Sequence, residues 1–236
     1  MQEVRHRYVP LDGVKLFYRE AGQRGKPTIL LLHGFPSSSI QFRYLLAELS
    51  DRWHVLAPDM PGFGFTTVDD GCSYRFTFDH LAETIRHFLQ VLNVEIFGVY
   101  LHDYGAQAGF RLLTRGILQP HALIVQNSEA YRSIGWHKMM WGIEARLHEP
   151  PEEARAKLLQ GLLNREGIEK EFLEALPLDL AERIDPAVIE LGWRKLSEPG
   201  IVEAMLDLHM DYSSNFQNYP NVQAYFRQAA KPMLLL

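Results

Sequence analysis

The segment VYLHDYGAQAGFRL, residues 99–112, places an aspartate, Asp103, where an apolar run gives way to a helical pattern, with Gly105 and Ala106 close behind it. A strand that enters a helix through so sharp a turn lifts one side chain above the sheet, where it stands exposed as a nucleophile. Here that side chain is a carboxylate. An aspartate before a helix also serves as an N-cap, and this segment alone leaves both readings open.

A second group, His33-Gly34-Phe35-Pro36, ends an earlier apolar run and opens a loop into a helix. Read by itself it is equally an ordinary strand-to-helix turn with a buried histidine, and its X-Pro bond is open to either isomer. A third, Asp59-Met60-Pro61-Gly62-Phe63-Gly64, has glycines but not the third one of a dinucleotide fingerprint, since the chain continues to Thr67. It reads as a structural turn. The 10 histidines form no H-E-x-x-H motif. His80 and His87 share a helical face too far apart to chelate, and His102 points to the opposite face from its neighbour Asp103. No metal or cofactor is expected.

The elements that must position these residues follow from periodicity. Residues 5–21 predict an antiparallel hairpin around Asp12-Gly13. The runs 28–34, 54–60, 94–102 and 121–127 are too continuously apolar for half-exposed strands and suit a parallel sheet covered on both faces. Helical spacing over 38–49 and 77–92, and after Asp103, supplies the crossovers. From about Tyr131 strand runs vanish, and amphipathic helix continues almost to Tyr219, punctuated by Pro150-Pro151, Asp185-Pro186 and Pro199-Gly200. The expected organisation is a core over 1–130, a helical cap over 131–220 and a return to the core over 221–236.

At 236 residues and 47% hydrophobic content the chain can bury a sizeable core, while a net charge of −5 with dispersed Lys and Arg disfavours nucleic acid and anionic lipid. The single cysteine, Cys72, excludes an intramolecular disulfide framework and fits a reducing cytoplasm. No apolar run approaches the ~20 residues that span a bilayer, and the N-terminus lacks a signal-peptide core.

With HGFP, DMPGFG and HDYGA in this order, and a helical stretch after HALIVQN, the chain resembles the α/β-hydrolase superfamily over almost its whole length. It sits beside the epoxide hydrolases and haloalkane dehalogenases, in which an aspartate occupies the elbow. The resemblance implies an α/β-hydrolase fold, a mostly parallel sheet with an inserted all-helical cap. It implies Asp103 as nucleophile and the backbone N–H groups of Phe35 and Tyr104 as the oxyanion hole. Leu101 departs from the small residue usual before the histidine, and Pro61 replaces an arginine.

An aspartate of ordinary pKa, ~3.9, is ionised at neutral pH and attacks carbon without a base, forming an alkyl-enzyme ester that a histidine-activated water then hydrolyses. The implied substrate is a small apolar electrophile, an epoxide or a carbon–halogen compound. Dehalogenases of this group hold halide with a tryptophan and often an asparagine, where this chain has Tyr104 and Phe35. Epoxide hydrolases use cap tyrosines as acids. LHMDYSSNFQNYP, residues 208–220, resembles the segment bearing one of them, making Tyr212 the candidate. Tyr131 and Tyr219 are weaker matches for the second. A packing role for Tyr212 stands beside this, and a haloalkane or haloacid dehalogenase or a non-catalytic small-molecule binding protein on the same fold are the alternatives.

The resemblance places the catalytic histidine after the last strand, and its acid after the strand before the cap or the one after it. Asn127 cannot serve as an anion and Glu129 lies two residues further on, so the acid, the histidine and the last strands and helix are expected beyond Leu236. The 236 residues by themselves are then expected to form the ester without turning over, and to self-associate through an uncovered sheet edge.

Overall fold

The computed structural model describes residues 3–131 and 149–236. β1 (Arg5–Leu11) and β2 (Val14–Ala21) close on Asp12-Gly13, with Leu11 paired to Val14 and Gly13 at φ +70°. That left-handed backbone is what a two-residue hairpin loop requires. β2 then runs antiparallel to β4 (His54–Pro58). β3 (Thr28–Leu32), β4, β6 (Ile96–His102), β7 (Ala122–Gln126) and β8 (Met233–Leu235) are mutually parallel. The sheet order is β1-β2-β4-β3-β6-β7-β8, with β5 (Thr67–Val68) beside β2.

The continuous apolar runs are explained by cover on both faces. Every residue of β4 is buried. In β3, Leu30 and Leu32 join one core cluster and Leu31 the other, because alternate side chains leave a strand on opposite sides. A 3₁₀ turn (Ser39–Phe42) and α1 (Arg43–Leu49) cover Leu31, Val55 and Ala57 with Phe42 and Leu46. The single helix expected over 38–49 is thus two pieces, the first capped by Ser38 Oγ. On the other face α2 (Phe78–Leu92) and α3 (Asp103–Thr114) bury Phe78, Leu81, Ile85, Phe88 and Phe110. α2 starts on the Thr77 N-cap and stops at Asn93 in the left-handed region.

Between β7 and β8 the described chain is helical: α4 (Pro151–Gly161), α5 (Arg165–Leu173), α6 (Leu178–Ala181), α7 (Pro186–Leu196), α8 (Ile201–Met210) and α9 (Ser213–Gln228). Pro151 and Pro186 open their helices, where a missing N–H costs nothing. The first part of the expected cap, 132–148, lies outside the described residues. The boundary expected at 220 falls inside α9, which carries the chain back to the core as one element, with Phe226 against Phe110. β8 forms one edge of the sheet, and Leu234 and Leu235 on it are exposed. Among the described residues no helix is long and apolar enough to cross a membrane.

Candidate active site

β6 ends at His102 and α3 begins at Asp103 with φ +48°. A non-glycine residue in this region costs about 1–3 kcal/mol, which aspartate tolerates better than most. The N-cap position falls to His102, and no side chain caps the helix there. Asp103 instead turns to the loop after β3: the Phe35 N–H donates to its Oδ1 at 2.7 Å, across 68 residues of sequence. The Tyr104 N–H also donates to this carboxylate. The two amides singled out in the sequence therefore converge on the same side chain.

Their approach depends on two glycines. A Cβ on Gly34 would lie 2.5 Å from Asp103 Oδ1, and one on Gly105 would strike the carbonyls of Leu32 and His33. The Phe35–Pro36 bond is cis. His33 is fully buried. Its Nε2 accepts the Met60 N–H at 2.9 Å, so it ties the β3 loop to the β4 loop. Asp59 completes that tie, accepting the N–H groups of Ser39 and Phe65, each at 2.8 Å, with Arg19 nearby at 3.8 Å. The Asp59–Gly64 stretch is the structural turn its sequence suggests. Leu101, the bulky departure before the elbow, is fully buried and occupies the space above Gly109, where any Cβ would collide with its methyl groups. A glycine on α3 makes room for the leucine on β6.

Tyr212, at the start of α9, is buried, its ring 5.8 Å from Tyr104 and 5.7 Å from Phe78. Its hydroxyl donates to Glu129 Oε2 at 2.9 Å, and the Tyr219 hydroxyl donates to the same oxygen at 3.3 Å. Tyr131 is half exposed and shows no such contact among the described residues. Glu129 is the residue that sequence reasoning passed over. Asn127, at φ +46°, turns the chain after β7, and Gln107 on α3 holds the turn by donating to Ser128 Oγ and to the Glu129 carbonyl. Glu129 is thereby placed within reach of the Tyr212 and Tyr219 hydroxyls. The available signal was the seven-residue spacing of Tyr212 and Tyr219, two turns on one helical face.

Burial pushes the Asp103 carboxyl up to about 7, against the two amide donors that favour its anion, and the acids Glu171 and Glu129 push in the same direction as burial. This corrects the expectation of an ordinary aspartate, because burial disfavours the charged form of the carboxylate. Burial also raises Glu129, opposed by its two tyrosine donors, and raises Tyr212 well above its ordinary value, so its proton is held throughout the neutral range. His102 is pushed down to about 4 by burial and by His33, which suits it poorly to act as a base.

Phe35, Phe63, Ile168, Lys195, Leu196 and Met205 line a narrow seam of about 10 Å³ between the β3 loop and the helices that follow β7. It lies at the C-terminal strand ends, where folds of this kind bind ligands. A larger open concavity of about 620 Å³ lies at the opposite end of the strands. The buried imidazole there, His54, is already bonded to Thr28 and Glu20, so it offers no comparable chemistry.

A doubly covered parallel sheet, with a strained acid at a strand-to-helix turn and two amides facing it, defines a hydrolase of the α/β type. Residues 27–140 match the family described as alpha/beta hydrolase fold. An uncharacterized hydrolase of Saccharomyces cerevisiae is 36% identical over 233 residues, 98% of this chain and 79% of the relative. The chain belongs to the α/β-hydrolase family and is a hydrolase. Human epoxide hydrolase 4 is 36% identical over 104 residues, 42% of this chain and 28% of that protein. A mutant haloalkane dehalogenase of Agrobacterium tumefaciens superposes with a TM-score of 0.76 at 18% identity, covering 98% of this chain and 78% of the other.

Proposed function

We propose that the protein is an epoxide hydrolase-like enzyme with Asp103 as nucleophile. The observation that carries this reading is the hydrogen bond from the Phe35 amide to Oδ1 of an aspartate held at positive φ. An Asp103 oxygen attacks a ring carbon, the C–O bond of the oxirane breaks, and the Tyr212 hydroxyl passes its proton to the departing alkoxide. Tyr219 remains on Glu129 when Tyr212 turns to the substrate. The product is a hydroxyalkyl ester whose carbonyl oxygen lies against the Phe35 and Tyr104 amides, where a later oxyanion is stabilised. We assign Glu129 as the acid partner of the water-activating histidine that the family resemblance implies.

Charge favours a neutral substrate over a haloacid. The side-chain charges that act on Asp103 come from Glu171 and Glu129, both acids, which repel a carboxylate substrate. The likeness to the human epoxide hydrolase supports the epoxide reading, while the Agrobacterium dehalogenase, at 18% identity, shares the fold. A reducing cytoplasm remains our reading of the compartment.

The test is intact-mass analysis with a simple aryl epoxide, with diol followed in parallel. The expected result is diol, or an adduct of one substrate mass, both lost in Asp103→Ala. An adduct that survives Asp103→Ala overturns the assignment. Halide release from haloalkanes without any epoxide reaction moves it to the dehalogenases, and reversible binding alone makes the protein a non-catalytic binder.

A further inference from the structure

We infer that Arg111 is a positioning residue for Tyr212, clamping the tyrosine-bearing start of α9 onto the helix that begins with Asp103. The inference rests on the role proposed for Tyr212. Arg111 lies on α3, two turns beyond Asp103, and is only 4% exposed. Its guanidinium uses all three nitrogens. Nε donates to Asp79 Oδ1 at 2.7 Å, Nη1 to the Gln107 carbonyl at 3.0 Å and to Asn215 Oδ1 at 2.7 Å, and Nη2 to Ser214 Oγ at 2.7 Å.

Two of these acceptors, Ser214 and Asn215, lie two and three residues after Tyr212 in sequence. Asp211, just before it, accepts the Phe78 N–H at 2.8 Å and the Ser214 hydroxyl at 3.2 Å. The segment 211–215 is therefore fastened on both sides of the tyrosine to the two core helices. Asn215 is fully buried, and its Nδ2 has no hydrogen-bond partner among the described residues. An orphaned buried donor is destabilising, so the contact from its Oδ1 to Arg111 is what its presence at this position supplies.

The planar fork fixes direction as well as distance, which an ammonium on a flexible stem does not. A displacement near 1 Å at a reacting group costs up to about 100-fold in rate. Arg111→Lys keeps the charge and loses the fork. If Arg111 acts through Tyr212, the two substitutions must not be independent.

The experiment is a double-mutant cycle on the rate of adduct or diol formation with an aryl epoxide, using the full chain. Tyr212→Phe is expected to slow the reaction by about 100-fold, the lower end for a general acid. Arg111→Lys is expected to slow the otherwise unchanged chain about 10-fold and to have almost no effect in the Tyr212→Phe background. An equal effect in both backgrounds is a general structural effect and overturns the inference while leaving the role of Tyr212 intact. An unchanged rate in Tyr212→Phe removes the parent reading, and this inference falls with it. Should Arg111→Lys fail to fold, Ser214→Ala, which keeps Arg111 and removes the Nη2 contact together with the Ser214–Asp211 bond, is read in the same cycle with the same two outcomes.

Discussion

The Phe35 amide and the Asp103 carboxylate meet at 2.7 Å although 68 residues separate them, because β3 and β6 are parallel neighbours and end at the same level. The contact needs the absence of a side chain at Gly34 as much as the presence of one at Asp103.

Gly34→Ala therefore drives a methyl group into Oδ1. The carboxylate must move off the amide, and alkylation is expected to fall by about 100-fold or more, the scale of one lost oxyanion donor. Intact-mass kinetics on the folded variant, verified by circular dichroism, check this. A variant with undiminished alkylation would show the amide to be incidental.

The pH dependence follows from the Asp103 carboxyl, held near 7. Only the anion attacks, so the single-turnover rate is expected to climb with pH and level off above a midpoint of about 7, not at the ordinary carboxylate value. Glu129→Gln removes a neighbouring negative charge and should move that midpoint to lower pH. A flat profile from pH about 5 upward contradicts both statements.

The same shift enters stability with a definite sign. The folded state holds the Asp103 proton more tightly than the unfolded chain does, so the contribution is fully present below 3.8 and is lost as pH rises through about 7. Asp103→Asn should melt higher than the parent above neutral pH, with the gap closing in acid. Thermal melts across pH decide it.

Leu101 and Gly109 form a size-complementary pair across β6 and α3. Gly109→Ala should destabilise the fold by about 1–3 kcal/mol through overpacking. The double change Leu101→Val with Gly109→Ala should recover part of the loss. Denaturant titrations reveal whether the two positions couple.

Much of the frame was legible because burial periodicity is local. Leu30, Leu31 and Leu32 already read as a strand covered on both sides, and Thr77 to Leu92 as a helix with one apolar face, since each pattern lies within one element. The meeting of Asp103, Phe35 and Tyr104 was legible for a related reason: each sits at a strand–turn–helix junction, and parallel neighbouring strands bring those junctions together.

What only the tertiary structure decided are the relations between elements remote in sequence. Glu129 gains its place from a turn at Asn127, clamped by Gln107 and met by two tyrosines 83 and 90 residues further on. Arg111 becomes a clamp only when α9 lies against α3. The elevated pKa of Asp103 is likewise a property of the water excluded by distant chain. Sequence pointed to the side chains gathered at the elbow; the packing of the helices after β7 on the core determined their protonation, their partners and their aim, because burial and approach are not properties of any one segment.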